Sequence, residues 1–382
     1  MNILMLGGTG PMGIHLSKIL SKRGDNVYIT SRKKHENFGR IFYIQGNARD
    51  VDFANKILNE RKWDCIIDFM VYGTDEFKQR LDCLMQSTKQ YVFLSSSRVY
   101  ADSNGLLTEE SPRLLDVTHD DIYLKTDEYA LYKAREEDVI LQSNYSNYTI
   151  LRPYITFAEN RLPLGVWEKE TWVRRILEKK DLVLPSLFLT KETTLTYGLD
   201  VSVYISKVIG NPSAIGQVFN IVSDKCCKWS EILEFYLDQA QIITGYRPKV
   251  FVVNSFITGW RMMLNNWLKD ICHLGFKKYD ITISNRNYQL IYDREFNRKF
   301  NNNKLKNLIP DYTFSNYSEH LGKCLKSFSS DPQYSYNKVW EWEALQDRLT
   351  KRKTSIFCIP TLKSKIKYVL IRYIIPCKYM AN

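Results

Sequence analysis

The chain has 382 residues, 44% of them hydrophobic and 25% charged, enough for two domains or one enlarged one and too apolar for wholesale disorder. Its eight cysteines are scattered, with only Cys226 and Cys227 close together, no C-x-x-C pair and no His–Cys cluster at zinc spacing, a pattern that suggests reduced thiols rather than a disulfide scaffold, and no bound metal. The net charge is +12, but residues 331–382 carry ten Lys/Arg against four Asp/Glu; the remainder is spread thinly and suits an anionic small ligand, so no nucleic acid is expected.

Residues 2–6 (NILML) form a short apolar run, the pattern of a buried parallel strand. A strand this early predicts no signal peptide, and no run reaches about 18 apolar residues, so a cytoplasmic protein is expected. Next come Gly7–Gly8–Thr9–Gly10–Pro11–Met12–Gly13 and a helix over about 11–22, with proline near its start, where a missing N–H costs nothing. Strands are predicted over 26–30 and 40–45, a helix over 51–60, strands over 64–69 and 90–95, a helix over about 123–142 and a strand over 147–152. Such alternation requires a parallel sheet with right-handed crossovers. After Arg152–Pro153 it fades into helices over 173–180 and 229–240, a short strand over 217–222 and aromatic loops.

Gly7, Gly10 and Gly13 stand as G-x-x-G-x-x-G between the first strand and the first helix. The first glycine permits a tight turn, the second lets backbone approach a pyrophosphate and the third allows close packing, while the helix N-terminus faces the anion. Thr9 and Met12 complete this candidate cofactor-binding turn. The fold expected is α/β: a Rossmann-type doubly wound parallel sheet over 1–157, a smaller α+β substrate region over 158–330 and a basic aromatic tail over 331–382. Strand two closes on Thr30–Ser31–Arg32–Lys33–Lys34 instead of the acid that would hold a ribose 2′-hydroxyl. Ser31 and Arg32 suit a 2′-phosphate, so NADP is preferred to NAD; a merely solvated basic loop would leave NAD open. Asn47 and Ala48, just past strand three, are placed to flank the adenine.

Tyr129 and Lys133 lie four residues apart in a helical run and share one face, where the ammonium favours the phenolate and makes Tyr129 a usable general acid or base. With 25 tyrosines in the chain, an accidental Tyr–Lys surface pair is the competing reading. Ser95–Ser96–Ser97–Arg98–Val99–Tyr100 ends strand five, at the sheet edge where open α/β sheets bind ligands; a serine there can hold a reacting oxygen or simply cap a turn. Phe69, Met70, Tyr72 and Tyr100 are candidates to line a nicotinamide pocket or ordinary core. The five histidines (His15, His35, His119, His273, His320) show no spacing for metal or triad chemistry.

In this order the glycine loop, LSSSRVYA and YALYK resemble the short-chain dehydrogenase/reductase superfamily, and more closely its extended branch, the NAD(P)-dependent epimerase/dehydratase family. The resemblance spans about residues 1–325, including Gly216–Gln217–Val218–Phe219–Asn220–Ile221 and Trp229–Ser230–Glu231–Ile232. It implies Ser96 as the active-site serine, Tyr129 as acid/base, and Lys133 as both ligand of the nicotinamide ribose and tuner of Tyr129. It also implies a homodimer through a helix bundle containing the Tyr–Lys helix. Dehydratases of the branch carry an acidic pair after the serine, where this chain has Ser97 and Arg98. Arg152–Pro153–Tyr154–Ile155 lacks the asparagine frequent in nucleotide-sugar binders, and a substrate-gripping arginine is replaced within Thr193–Thr194–Leu195–Thr196–Tyr197. The expected function is an NAD(P)-dependent epimerase or ketosugar reductase, its substrate a nucleotide sugar by resemblance. The alternative is a non-catalytic dinucleotide-binding regulator or an RNA-associated relative of the fold. In the tail, Lys363, Lys365, Lys367, Arg372 and Lys378 alternate with Tyr368, Leu370, Ile374 and Ile375, a pattern for peripheral membrane contact or for packing on the protein's own surface.

Overall fold

The structure, a computed structural model, describes residues 1–253, 288–334 and 340–375, so His273 and Lys378 lie outside the described residues. Two compact units are formed. The first comprises Met1–Arg161, Thr193–Cys226 and Asn297–Leu321; the second comprises Leu162–Glu192, Cys227–Phe296 and Gly322–Asn382.

In the first unit the chain runs β1 (Asn2–Leu6), α1 (Gly13–Arg23), β2 (Asn26–Ser31), β3 (Ile41–Gln45), α2 (Val51–Asn59), β4 (Cys65–Asp68), α3 (Thr74–Gln86), β5 (Tyr91–Leu94), α4 (Leu114–Val117), α5 (Asp121–Leu124), α6 (Tyr129–Leu141) and β6 (Tyr148–Pro153). All neighbouring strands pair in parallel, in the order β6-β5-β4-β1-β2-β3. A seventh strand, Gln217–Ile221, extends the sheet beside β6. The sequence places this segment in the substrate region; its edge position is a correction, because nothing in a five-residue run reveals which sheet edge it will join. β1 has β2 on one side and β4 on the other, and that reversal opens the crevice where ligands bind in such sheets.

Burial on both faces explains why β1, β4 and β5 read as unbroken apolar runs. One face packs Ile3, Met5, Leu16, Leu20, Val201 and Ile205; the other packs Leu4, Leu6, Phe77, Leu81, Phe93 and Ile140. Two boundaries differ from the sequence expectation. Pro11 precedes α1 rather than opening it. The helix predicted over 123–142 is interrupted: Asp120 caps α5 through the N–H groups of Ile122 and Tyr123, and Glu128 caps α6 through Ala130 N–H. Tyr129 thereby becomes the first residue of α6, at the positive end of its dipole.

In the second unit, strand Leu182–Pro185 pairs in parallel with Val250–Val253, beside helices Lys169–Leu177, Trp229–Thr244, Trp340–Leu349 and Leu362–Val369. Arg175 is fully buried and is neutralised by Asp347 at 2.8 Å and Glu343 at 3.1 Å. The tail packs on itself: Trp340, Ala344, Leu345, Ile359, Tyr368, Ile371 and Ile375 form one apolar cluster. Tyr368 and Ile375, expected to dip into a lipid interface, are thus internal, with the Tyr368 hydroxyl donating to Asp347 at 2.8 Å. Lys367, expected to face lipid, is paired with Glu341.

Candidate functional site

The loop after β1 is built on backbone constraints. Gly7 has φ +76°, the left-handed region, and its N–H donates to Thr30 Oγ1 at 2.9 Å. A Cβ on Gly13 would stand 2.1 Å from the Gly8 carbonyl oxygen, so only glycine lets the loop close onto α1. A Cβ on Gly10, by contrast, would have nothing within 4 Å: this glycine is demanded by no neighbour in the chain. Thr9 is exposed, and the Met12 carbonyl accepts from Ser202 Oγ at 2.6 Å. Open space over Gly10 at a helix N-terminus fits a dinucleotide pyrophosphate.

At the adenosine end the Thr30 hydroxyl is consumed by the glycine loop. Ser31 Oγ lies 3.2 Å from the Lys33 N–H and 3.1 Å from His35 Nε2, while Arg32 is exposed. Asn47 is exposed, its side-chain oxygen accepting from Arg49 N–H at 3.2 Å, and Ala48 is buried. Met70 lies against Gly7. Tyr100 is internal and donates to Asn220 Oδ1 at 2.7 Å.

The three serines after β5 separate by what their hydroxyls touch. Ser95 donates to Glu137 at 2.5 Å, and Ser97 donates to the Arg152 carbonyl at 2.7 Å. Ser96 Oγ accepts from the Arg98 N–H at 3.2 Å, and its proton is committed to no partner among the described residues. The Arg98 guanidinium then reaches Glu128 at 2.6 Å and lies 5.1 Å from the centre of the Tyr129 ring. One arginine therefore links the Ser96 turn to the start of α6. The edge of Tyr129 meets Tyr132 with ring centres 5.3 Å apart. Lys133, on the same helical face as Tyr129, is buried, its ammonium 4.5 Å from the centre of the Phe93 ring and 3.0 Å from Glu136 Oε2.

Sequence reasoning missed Glu136, whose only local signal is a second acid one turn after Lys133. Its side chain is fully buried, and neither its oxygens nor the Lys133 ammonium has an aligned hydrogen bond among the described residues. Burial pushes the Glu136 carboxyl up from 4.5 to about 7, with Lys133 pulling it down. Between those values the folded protein holds a proton that the unfolded chain releases. Stability from this group is present below pH 4.5 and is lost as pH rises through about 7. Urea unfolding from pH 4.5 to 7 should show wild type losing on the order of 2–3 kcal/mol relative to Glu136→Gln; parallel curves would contradict the assignment. Asp68, at the end of β4, is also buried and held above the usual carboxylate range by desolvation, while accepting from Tyr91 at 2.8 Å and Met70 N–H at 2.9 Å.

Comparison with known proteins gives a consistent picture. Residues 3–221 match the model of the NAD dependent epimerase/dehydratase family. Among curated proteins, the chain is 26% identical over 240 residues to the chloroplast stem-loop binding protein of 41 kDa b from Arabidopsis thaliana, a match covering 58% of this chain and 59% of that protein. Among solved structures it resembles UDP-glucuronic acid 4-epimerase from Bacillus cereus in complex with UDP-glucuronic acid and NAD, with TM-score 0.61 and 15% identity over 87% of this chain and all of that one. A dTDP-glucose 4,6-dehydratase from Bacillus anthracis in complex with NAD gives TM-score 0.59 and 16% identity over 87% of this chain and 97% of the other. The expected preference for NADP finds no support in these relatives.

Proposed function

Because the chain belongs to the NAD dependent epimerase/dehydratase family, we propose that it acts on a nucleotide sugar as an epimerase or ketosugar reductase, with Ser96, Tyr129 and Lys133 as its catalytic residues. The observation that carries this reading is the Arg98 bridge: its N–H holds Ser96 Oγ while its guanidinium lies against the Tyr129 ring. When bound, the dinucleotide supplies the hydride acceptor and donor. Tyr129 removes the proton from the sugar hydroxyl oxygen as that carbon is oxidised, and returns it on reduction. Arg98, over the Tyr129 ring, and Glu128, at the start of α6, position the phenol for this transfer. Ser96 donates its uncommitted proton to the same oxygen and holds it beside the phenol. Gly7, Thr9, Gly10, Met12 and Gly13 cradle the pyrophosphate, Ser31 and Arg32 face the adenosine ribose, Asn47 and Ala48 flank the adenine, and Lys133 takes the nicotinamide ribose on leaving Glu136.

Dehydration is disfavoured, since Ser97 is committed to a backbone carbonyl and Arg98 is a cation where elimination needs acids. The likeness to the NAD-bound 4-epimerase favours epimerisation; the exposed Arg32 favours NADP and reduction. A cytosolic homodimer through a bundle containing α6 completes the reading. The test is incubation of the purified chain with UDP-hexoses and UDP-uronic acids plus NAD, and with keto-sugar nucleotides plus NADPH, after identifying by mass any dinucleotide released from it. Interconversion of isomers without net cofactor change marks an epimerase, and stoichiometric loss of NADPH marks a reductase. A dinucleotide-loaded protein inert in both would overturn the proposal. A second reading, RNA association, is supported by the stem-loop binding name of the Arabidopsis relative and the +12 charge; salt-sensitive binding of an RNA hairpin would favour it.

A further inference from the structure

In the second unit, Lys179 and Lys351 are the non-glycine residues with left-handed backbone among the described residues, at φ +53° and +55°. Each follows a helix end. Lys179 and Lys180 N–H groups return to the carbonyls of Ile176 and Arg175 at 3.0 and 2.9 Å, and Lys351 N–H returns to Arg348 at 3.3 Å. Glycine or asparagine is the favoured residue at such ends, yet both positions carry a lysine, and both lysines line one pocket of about 570 Å³ together with Lys180, Arg352, Lys353 and Arg372. A single carboxylate, Glu178, lines it as well, 2.9 Å from Lys180. Arg352 stands 3.6 Å from Asp181. Lys179, Lys351 and Lys353 have neither ion pair nor side-chain hydrogen bond among the described residues. Three unneutralised ammonium groups around a concave space ask for an anion.

Beyond Lys353, which lines the pocket, the chain turns several apolar side chains to solvent. Leu362 and Ile366, one turn apart in helix Leu362–Val369, and Tyr373 beyond it are 74%, 51% and 55% exposed; Phe357 is 94% exposed. Tyr373 also lines the pocket. Tyr368, Ile371 and Ile375 already fill the inward face, so among the described residues these exposed groups join no core. A second copy of the chain is a poor cover, since apposing this face with itself would bring two basic pockets together.

We propose that this face of the second unit docks on an anionic phospholipid surface, with a lipid phosphate in the pocket formed by Lys179, Lys351 and Lys353 and with Phe357, Leu362 and Ile366 in the interfacial layer. Cations beside outward apolar groups are what the headgroup boundary of such a membrane attracts. Lys363, also exposed, and the half-buried Lys365 add to the attraction, whereas Lys367 and Tyr368 do not take part.

The experiment is flotation of the full chain with phosphatidylcholine vesicles, with and without phosphatidylglycerol. The protein is expected to float only with the anionic vesicles, less so as salt rises. Lys179→Gly/Lys351→Gly/Lys353→Gln removes three charges while placing glycine where the backbone favours it, so folding is retained; partitioning should weaken by about a hundredfold. Phe357→Ser, at a side chain with no packing to lose, should weaken it by roughly tenfold. Wild type left unbound by anionic vesicles would overturn the proposal, as would both variants floating like wild type. So would pyrophosphate binding in the pocket without vesicle binding, or self-association abolished by Phe357→Ser without vesicle binding.

Discussion

Replacing Tyr129 with phenylalanine is expected to lower turnover of a nucleotide-sugar substrate by about 10²–10⁴-fold and to leave dinucleotide affinity and thermal stability nearly unchanged. The ring contacts survive the change: the Arg98 guanidinium still lies over an aromatic face and the Tyr132 edge is still met. The hydroxyl donates to no partner among the described residues, so its loss strands no buried group and costs no fold. Only the proton carrier is removed. Turnover is measured with saturating substrate, and dinucleotide affinity by fluorescence titration. Equal activity in the two proteins would remove Tyr129 from the mechanism, and a collapse of stability would mean that the hydroxyl has a structural duty.

Loss of stability, rather than of chemistry, is expected at Glu137. Its carboxylate is fully buried and takes a two-pronged bond from Arg152 at 2.8 and 2.7 Å as well as the Ser95 hydroxyl. Arg152 continues to the Tyr100 hydroxyl and the Glu109 carbonyl, at 2.8 and 2.9 Å. Glu137→Ala leaves a buried guanidinium without a counter-charge and should cost about 3–5 kcal/mol. Arg152→Met leaves the carboxylate to Arg113, 3.5 Å away, and the Ser95 hydroxyl, and should cost less. Combining the two leaves neither charge unpaired, so the double variant should lose much less than the sum. Urea unfolding of all four proteins gives the comparison, and strict additivity would deny the coupling. The same network fixes Ser95 and Ser97, so Glu137 acts on the candidate site by holding the turn that presents Ser96.

Much of the first unit was legible before any coordinates. The strands β1 to β6 stand where short runs predicted them, most plainly β1, β4 and β5, because a strand buried on both faces has no polar alternation to blur it. The interruption before α6 was less visible: residues 125–128 carry no proline or glycine, and a new helix starts where Glu128 turns back to cap the Ala130 N–H. The Ser96–Tyr129–Lys133 set was proposed from spacing and resemblance. Arg98 with Glu128 carries no such spacing rule and emerged only once α6 was laid beside the turn after β5; Lys133 and Glu136 stand one helical turn apart, and what the sequence hid was their burial.

The local order of residues by itself determined the alternating architecture, the glycine turn and the candidate tyrosine–lysine face, since each rests on a periodicity or a backbone angle that a few neighbours dictate. Tertiary structure decided which of three consecutive serines keeps a proton to give, because the partners that occupy Ser95 and Ser97 lie 42 and 55 residues further along the chain. It likewise decided that Gln217–Ile221 closes one edge of the sheet and that Tyr368 and Ile375 turn inward while Phe357 and Leu362 stay in solvent. Those outcomes depend on which distant surfaces exclude water from one another, and composition and period do not specify that.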